Sequence, residues 1–211
     1  AEKNIGKNTF LPYMLNNGVE SIDFGMLTNY HTDHYKGLHA LSLAFPLHFI
    51  SLKAKPFFNV SDDCRLAVLW TVRGTANIEK TADEANENYF VYMINYRGVK
   101  VLVTGDLLEE DEKAMVKYYR NNEALKCDIL KIAHHGSKSS SSEEFLDACK
   151  PYVAVISVGR NNIYGHPHEQ TLTRLEERGI KIYRTDLQGA IGVDVQRNGK
   201  YSIETVRITK D

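Results

Sequence analysis

Histidines are the most prominent of the residues in this chain that could do chemistry. Two apolar runs that read as short buried strands, residues 128–133 and 152–158, precede half of the eight histidines: His134, His135, His166 and His168. Such runs end where a sheet meets its loops, and that edge is where α/β proteins build sites. Imidazole groups that arrive there from separate strands predict a site for a divalent metal ion.

A second cluster of possible ligands lies nearer the N-terminus, in the segment NYHTDH. It follows another apolar run, residues 22–27, and places His31 and His34 on either side of Asp33. Imidazole and carboxylate groups are the ligands that zinc and similar ions take from proteins. We interpret this segment as a loop that contributes to the metal site.

A single carboxylate follows a third apolar run, VKVLVTGD. Asp106 comes directly after Gly105, and a glycine at a strand end allows close approach of the backbone. A turn is the ordinary role of an aspartate after glycine. Together with HTDH and HHGS, however, the position favours an Asp106 that bridges metal ions or orients a water molecule.

The remaining histidine positions leave alternatives open. His134 and His135 are adjacent, and on a strand they would face opposite ways, so one ligates and the other bonds elsewhere or faces solvent. His166 and His168 flank Pro167, whose fixed backbone spaces them, and at least one is expected as a ligand or proton carrier. The other two histidines outside HTDH, His39 and His48, lie in apolar segments and are assigned structural roles.

Composition places the chain among soluble globular proteins. It has 211 residues, 43% hydrophobic and 25% charged, which suits one α/β domain spanning residues 1–211. The formal net charge of −1 provides no global basic field for nucleic acid or membrane, so a polyanion would have to be bound locally. The three cysteines have no CxxC spacing, and Cys127 and Cys149 are expected in the core.

The order of predicted elements mixes hairpins with strand–helix units. Strands are predicted at residues 21–28, 47–51, 65–72, 89–96, 99–104, 128–133, 152–158, 180–184, 190–196 and 201–208. Helices are predicted at residues 35–44, 109–121, 143–148 and 168–178, and a polar loop at 76–88. Tight turns at Arg97-Gly98 and at Arg197-Asn198-Gly199 close two hairpins. The pattern predicts an α/β (α+β) fold with helices packed over sheet.

These motifs, in this order, resemble a known family. HxDH, TGD, KIAHHGSKSSSSEEFL, VISVGRNNIYGHPH and IYRTDLQGAI are similar to the metallo-β-lactamase-like domain at the C-terminal end of ComEC competence proteins, the DNA-uptake channels of bacteria. The resemblance runs from about Gly6 to Val195 and implies an αββα sandwich with a metal site at one edge. The family's opening strands have no counterpart here, so we expect a fragment of a longer protein.

The resemblance also implies the ligands of the metal. Matching positions are His31, Asp33 and His34 in the second family motif, Asp106 as the bridging aspartate, and His134 or His135 as the later ligand. The motif normally opens with a further histidine, and this chain has Asn29 there. We therefore expect one firmly held divalent ion, zinc or manganese, and a second ion bound weakly.

The activity implied by the resemblance is that of a nuclease acting on the DNA strand that is not imported. In that reaction Asp33 or Asp106 would orient or deprotonate the attacking water, and His166 or His168 would protonate the leaving oxygen. Substrate contacts are expected from six residues: Asn88, Ser137, Lys138, Ser139, Arg160 and Asn162. At least one residue of the serine run 139–142 is also expected to cap the helix that follows.

Two other functions remain open from the sequence. Asn29 and the absent opening strands favour a degenerate, non-catalytic domain with a structural or binding role. The same scaffold could also hydrolyse other esters, such as choline phosphate or lactones. The resemblance implies that the partner is the membrane channel of the same protein and that the domain is extracytoplasmic. The composition of the chain itself predicts a soluble domain, and a cytoplasmic location stays open.

Overall fold

The structure is a computed structural model that describes residues 6–29, 31–45, 48–49, 57–71, 89–120 and 123–206. The chain divides into two compact units, Ala1–Lys55 with Val72–Tyr89 and Pro56–Thr71 with Phe90–Asp211. Among the described residues no helix is long and apolar enough to cross a membrane. The prediction of one domain over residues 1–211 stays a prediction.

The first unit is mainly helical where it is described. A π-helical turn, Gly6–Phe10, continues into α1, Leu11–Asn16, and α2 spans Thr32–Ser42. Two short strands, β1 (Phe24–Gly25) and β2 (His48–Phe49), pair in parallel. Gly6 packs directly on α2, since a Cβ there would lie 2.2 Å from the Gly37 carbonyl oxygen.

The second unit is built on a seven-stranded sheet with the order β3-β4-β5-β6-β7-β8-β9. Its strands are β3 Phe57–Ser61, β4 Cys64–Thr71, β5 Phe90–Tyr96, β6 Val99–Val103, β7 Ile129–Lys131, β8 Val153–Ile156 and β9 Lys181–Arg184. Pairing is antiparallel from β3 to β6 and parallel from β6 to β9. The mixed sheet confirms the predicted α/β class.

Helices and a hairpin complete this unit. The helices are α3 Glu109–Tyr118, α4 Glu143–Cys149, α5 Glu169–Glu177 and α6 Thr185–Gln188, and the hairpin strands are β10 Ile191–Val195 and β11 Tyr201–Thr205. The hairpin packs on the sheet face that carries Val99, Ile129 and Val153. Leu102 on β6 and Leu130 on β7 each directly follow a residue of that face, so they point to the opposite face of the sheet. Both are fully buried.

Most predicted elements are confirmed with shifted ends. The turn Arg97-Gly98 has positive φ at both residues and joins β5 to β6, as a tight hairpin turn requires. Cys127 and Cys149 are buried, and all three cysteines are free.

Two predicted elements need correction, some observed elements were not predicted, and one predicted loop lies outside the described residues. The strand predicted at 21–28 is reduced to β1, and the helix predicted at 35–44 begins earlier, at Thr32. Strand β3 and helices α1 and α6 were not predicted. The loop predicted at 76–88 lies outside the described residues.

Candidate metal centre

The carboxyl ends of three parallel strands bring the candidate residues of the second unit together. Asp106 follows β6, the pair His134-His135 follows β7, and Ser157 follows β8. Parallel strands end at the same edge of a sheet, and loops at that edge form sites in α/β proteins. The structure therefore gathers these residues at the sheet edge that the sequence pattern predicted.

Hydrogen bonds fix the strand end that carries Asp106. The Thr104 hydroxyl donates to the Lys131 carbonyl at 2.7 Å, which ties the end of β6 to the end of β7. Gly105 has φ of 55°, and this left-handed residue turns the chain so that Asp106 follows with only 3% of its surface exposed. A carboxylate this deeply buried needs a charged or hydrogen-bonding partner.

The two adjacent histidines lie in a tight turn, Ala133–Gly136, which follows β7, so the alternation of side chains along a strand does not apply to them. His134 and His135 have φ of 47° and 55°, a left-handed conformation that is strained for any residue with a Cβ. The His134 amide donates to the Gly105 carbonyl at 3.0 Å and so holds this turn against the Asp106 turn. Because of the turn, the two rings do not face opposite ways across a sheet.

His135 is oriented by a backbone carbonyl. Its Nδ1 lies 2.7 Å from the Ser157 carbonyl oxygen, and since a carbonyl can only accept, Nδ1 carries the hydrogen. In the neutral ring, Nε2 then has a lone pair, and it lies 3.9 Å from Asp106 Oδ1. A backbone partner on the far nitrogen is the usual support for a metal-binding histidine.

The pair Asp106 and His135 fits a metal ion. Each offers a ligand atom, and their separation of 3.9 Å is too long for a hydrogen bond. It is also less than twice the metal–ligand distance of about 2.1 Å, so both atoms can reach one ion. A carboxylate oxygen together with an imidazole nitrogen suits zinc and manganese.

Two further histidines complete a cluster of four imidazole rings. The His166 ring centre lies 5.6 Å from that of His134, 6.5 Å from that of His135 and 4.8 Å from that of His168. Burial lowers the pKa of His166 from its usual value, and the three neighbouring histidines lower it further. Protonation of this ring is therefore less favourable than that of a free histidine side chain.

The segment that carries His166 and His168 packs directly on the turn of the histidine pair. The His168 amide donates to the Gly136 carbonyl at 2.9 Å. The His168 Nδ1 accepts from the Lys138 amide at 3.2 Å, so Nε2 carries the hydrogen in the neutral ring and can donate it. The four histidines that follow the two predicted strands therefore lie together, and their roles in ligation and proton transfer stay a prediction.

In the first unit, the HTDH motif lies at the start of α2 and not in a loop as predicted. The helix begins at Thr32, so Asp33 and His34 are in its first turn and His31 directly precedes it. Asp33 Oδ2 and His34 Nε2 are 3.6 Å apart, and both residues offer ligand atoms. Their expected sharing of one ion with Asp106 stays a prediction.

Neighbouring polar residues shape this helix start. His34 Nδ1 lies 2.9 Å from the Thr28 hydroxyl, and the His31 ring makes an edge-on contact with Tyr89. Asn29 is fully buried, and its side-chain oxygen accepts from the His31 amide at 2.9 Å. The oxygen of Asn29 therefore supports the turn that places His31 before the helix.

The residues predicted to bind substrate have mixed surroundings. Lys138 and Ser139 are exposed, and the Ser137 and Ser139 hydroxyls are 2.9 Å apart. Arg160 donates through Nε to the Asp186 carbonyl at 3.3 Å. Asn162 uses its side-chain amide within its own loop, while Asn88 lies outside the described residues. Substrate binding by these residues stays a prediction.

The serine run is structural at its C-terminal end. The Ser142 hydroxyl accepts from the Phe145 amide and caps α4, which confirms the predicted helix cap. The buried Glu112 carboxylate accepts from the Ser141 and Ser142 amides at 2.6 and 2.8 Å. Arg174 donates to the Ser140 carbonyl at 3.0 Å from the other side.

Three contributors to the site were missed by the sequence reasoning. Ser157 acts through its backbone carbonyl, which no residue type reveals. In the sequence Glu112 looks like a surface acid on a charged helix and Arg174 like a surface cation. In the structure both form hydrogen bonds with the backbone of the serine loop.

Comparison with known proteins gives relatives in competence systems. The chain is 29% identical to ComE operon protein 3 of Bacillus subtilis over 98% of the chain and 29% of that protein. It is 34% identical to competence protein ComA of Neisseria gonorrhoeae over 86% of the chain, and 28% identical to recombination protein 2 of Haemophilus influenzae over 87%. The chain spans between 24% and 29% of the length of these three relatives.

Solved structures show the fold. A crystal structure of a metal-dependent hydrolase of the β-lactamase superfamily aligns with a TM-score of 0.51 at 11% identity and covers 93% of this chain and 85% of that one. The β-hydroxylase CmlA aligns with the same TM-score and identity over 78% of this chain and 43% of its own. No protein-family profile matches the chain. These alignments confirm the predicted metallo-β-lactamase fold.

Proposed function

Because the chain is a homologue of ComEC-family competence proteins and has a metallo-β-lactamase fold, we propose that it hydrolyses phosphodiester bonds of DNA with the help of a divalent metal ion. One observation supports this most: the buried Asp106 carboxylate faces His135 Nε2 at the carboxyl edge of the parallel strands. The proposal uses the sheet edge where this class of fold builds sites.

The ligands of the proposed ion come from three motifs, TGD, HHGS and HTDH. Asp106 and His135 supply one carboxylate and one oriented imidazole, and Asp33 and His34 of HTDH are the further ligands implied by the family resemblance. His31 and His134 are the remaining candidates. One firmly held ion, zinc or manganese, is expected, with a second ion bound weakly because Asn29 stands where the family has histidine.

The chemistry follows from the groups present. A bound divalent ion would acidify a water molecule and neutralise charge on the phosphoryl oxygens. Asp33 or Asp106 orients the attacking water through a carboxylate oxygen. His168 can donate a hydrogen bond from Nε2 to the leaving oxygen as that oxygen gains its proton, because its Nδ1 accepts from the Lys138 amide. His166, whose ring centre lies 4.8 Å from that of His168, is the other candidate for delivering that proton.

The wider setting of the domain is also a proposal. The relatives are several times longer than this chain, and the resemblance implies that the domain is joined to a membrane channel of the same protein. We therefore expect an extracytoplasmic, membrane-associated location and DNA as the partner.

A non-catalytic role is the second candidate, and one observation favours it. Asn29 is fully buried and uses its side-chain oxygen on the His31 amide, so the position does not offer the imidazole that the family motif begins with. In that case the domain would bind DNA or support the channel without hydrolysing it.

Hydrolysis of a labelled single-stranded oligonucleotide tests the proposal. The wild-type chain with manganese or zinc should cleave it, and a chelator should abolish cleavage. Asp106→Asn should reduce the rate more than about 100-fold, whereas Asp147→Asn, an exposed carboxylate on α4, should not. Cleavage that persists with chelator, or in Asp106→Asn, contradicts the proposal, as does activity on a lactone or choline phosphate ester alone.

A further inference from the structure

The loop between Gly159 and His166 exposes an aromatic residue next to the histidine cluster. Tyr164 is 71% exposed and the adjacent Ile163 is 89% exposed, at the tip of this loop. The loop follows β8 and therefore leaves the same sheet edge that carries the candidate metal ligands. An exposed tyrosine beside a site offers a large apolar ring and a hydroxyl for contact with a ligand.

The tip is held in one conformation by Asn162. Its Oδ1 accepts from the His166 amide at 2.9 Å, and its Nδ2 donates to the His166 carbonyl at 2.7 Å and to the Gly159 carbonyl at 3.2 Å. Both backbone groups of His166 are thus tied to Asn162, and residues 163–165 form a closed turn between them. An exposed side chain on a braced turn loses less entropy on binding than one on a free loop.

Tyr164 contacts the histidine cluster through His166. Its ring stacks on the His166 ring at 5.9 Å between centres with 27° between the planes. Two cations belong to the same neighbourhood: Arg160 lies in the Tyr164 loop and donates to the Asp186 carbonyl of α6, and the exposed Lys138 donates its amide to His168. An aromatic face beside cationic groups matches the alternation of base and phosphate in a nucleic-acid strand.

We propose that Tyr164 is the stacking subsite for an unpaired nucleobase next to the phosphodiester that lies at the histidine cluster. This deepens the proposed function and rests on it, because it names single-stranded nucleic acid as the form of the substrate. Any of the four bases can stack on the ring, so the subsite selects an unpaired base without reading its sequence. Ile163 at the same tip extends the apolar contact.

Binding measured without hydrolysis tests the subsite. Fluorescence anisotropy with a labelled oligothymidylate, in chelator so that no cleavage occurs, gives the dissociation constant of each variant. Tyr164→Ala should raise it about 5- to 140-fold, the range expected for loss of one base–aromatic stack. Tyr164→Phe should retain wild-type binding, because the ring is kept.

A matched control and a matched ligand separate stacking from other effects. Tyr152 is also 71% exposed but precedes β8, so Tyr152→Ala should bind as the wild type does. An abasic oligonucleotide of equal length should bind wild type and Tyr164→Ala equally, because it offers phosphates without bases.

Three results overturn the subsite. The first is unchanged binding of oligothymidylate by Tyr164→Ala. The second is a loss of affinity for the abasic oligonucleotide in Tyr164→Ala as large as its loss for oligothymidylate. The third is a wild type that does not bind oligothymidylate. A chain that binds in a Tyr164-dependent way but never cleaves DNA contradicts the proposed hydrolysis alone. The two proposals therefore fail by different results.

Discussion

Gly136 allows the turn of the histidine pair to pack against the segment that carries His166 and His168. Its φ is 87°, and a Cβ at this position would lie 2.5 Å from Pro167 Cβ and 3.0 Å from Pro167 Cα. Both are close to the backbone and cannot swing away as the end of a long side chain could. We therefore predict that Gly136→Ala destabilises the protein and disturbs the site.

The size of the effect has two parts. A left-handed alanine costs about 1 kcal/mol relative to glycine. Forcing the Cβ against Pro167 adds about 1–3 kcal/mol, as overpacking does elsewhere. The sum is a loss of about 2–4 kcal/mol in the free energy of unfolding. Part of it appears as a shift of residues 166–168, because His168 donates to the Gly136 carbonyl.

Gly179→Ala is the matched control for this prediction. Gly179 also has a left-handed conformation, with φ of 65°, but a Cβ there would meet nothing within 4 Å. It should lose only the backbone part, about 1 kcal/mol. Urea unfolding of both variants measures the difference, and metal titration should show weaker binding in Gly136→Ala alone. Equal stability of the two variants would refute the steric argument.

Two further predictions concern groups outside the metal ligands. Glu112→Gln should lower the free energy of unfolding by about 1–2 kcal/mol, because the new amide nitrogen cannot accept a hydrogen bond from the Ser141 or Ser142 amide. The loss is limited because a neutral side chain avoids the burial cost that raises the pKa of Glu112. In the same urea titration Glu110→Gln, at an exposed position, should change the free energy of unfolding by less than about 0.5 kcal/mol, and equal effects would contradict the role of the Glu112 carboxylate. The hydrogen bond from Arg178 lowers the pKa of Asp147 below 3.8, so the stability from this exposed pair is complete above that pH and is lost as pH falls through the folded-state pKa. Asp147→Asn should therefore cost at most about 1 kcal/mol at neutral pH and progressively less in acid, and a cost that grows in acid would contradict the assignment.

Much of the fold was predictable because local signals agreed with tertiary packing. Gly98 supplies a left-handed residue at the hairpin turn, and the alternation from Cys64 to Thr71 matches a strand in the sheet. Strand β3 was missed because four of its five residues, FFNVS, are exposed. The segment therefore has no alternation of apolar and polar residues that would indicate a strand. The start of α2 was misplaced because His31 precedes the helix without a side-chain cap hydrogen bond.

The gathering of Asp106 and four histidines at one sheet edge was predictable from the sequence, and their local geometry was not. Histidines and an aspartate after apolar runs marked the sheet edge correctly, because strand ends are visible as changes in hydrophobicity. The left-handed conformation of His134 and His135 was not visible in the sequence, because it goes with a hydrogen bond that the His134 amide donates to the Gly105 carbonyl. Likewise the orientation of His135 depends on the Ser157 carbonyl, which any residue type would supply.

Metal binding by the purified chain tests the central claim most directly. Calorimetric titration with zinc and with manganese, for the wild type, Asp106→Asn and Asp147→Asn, gives stoichiometry and affinity without relying on any substrate. The account predicts about one tightly bound ion in the wild type and in Asp147→Asn, and an affinity reduced more than about 100-fold in Asp106→Asn. Wild-type affinity in Asp106→Asn, or no binding of either metal by the wild type, would contradict it.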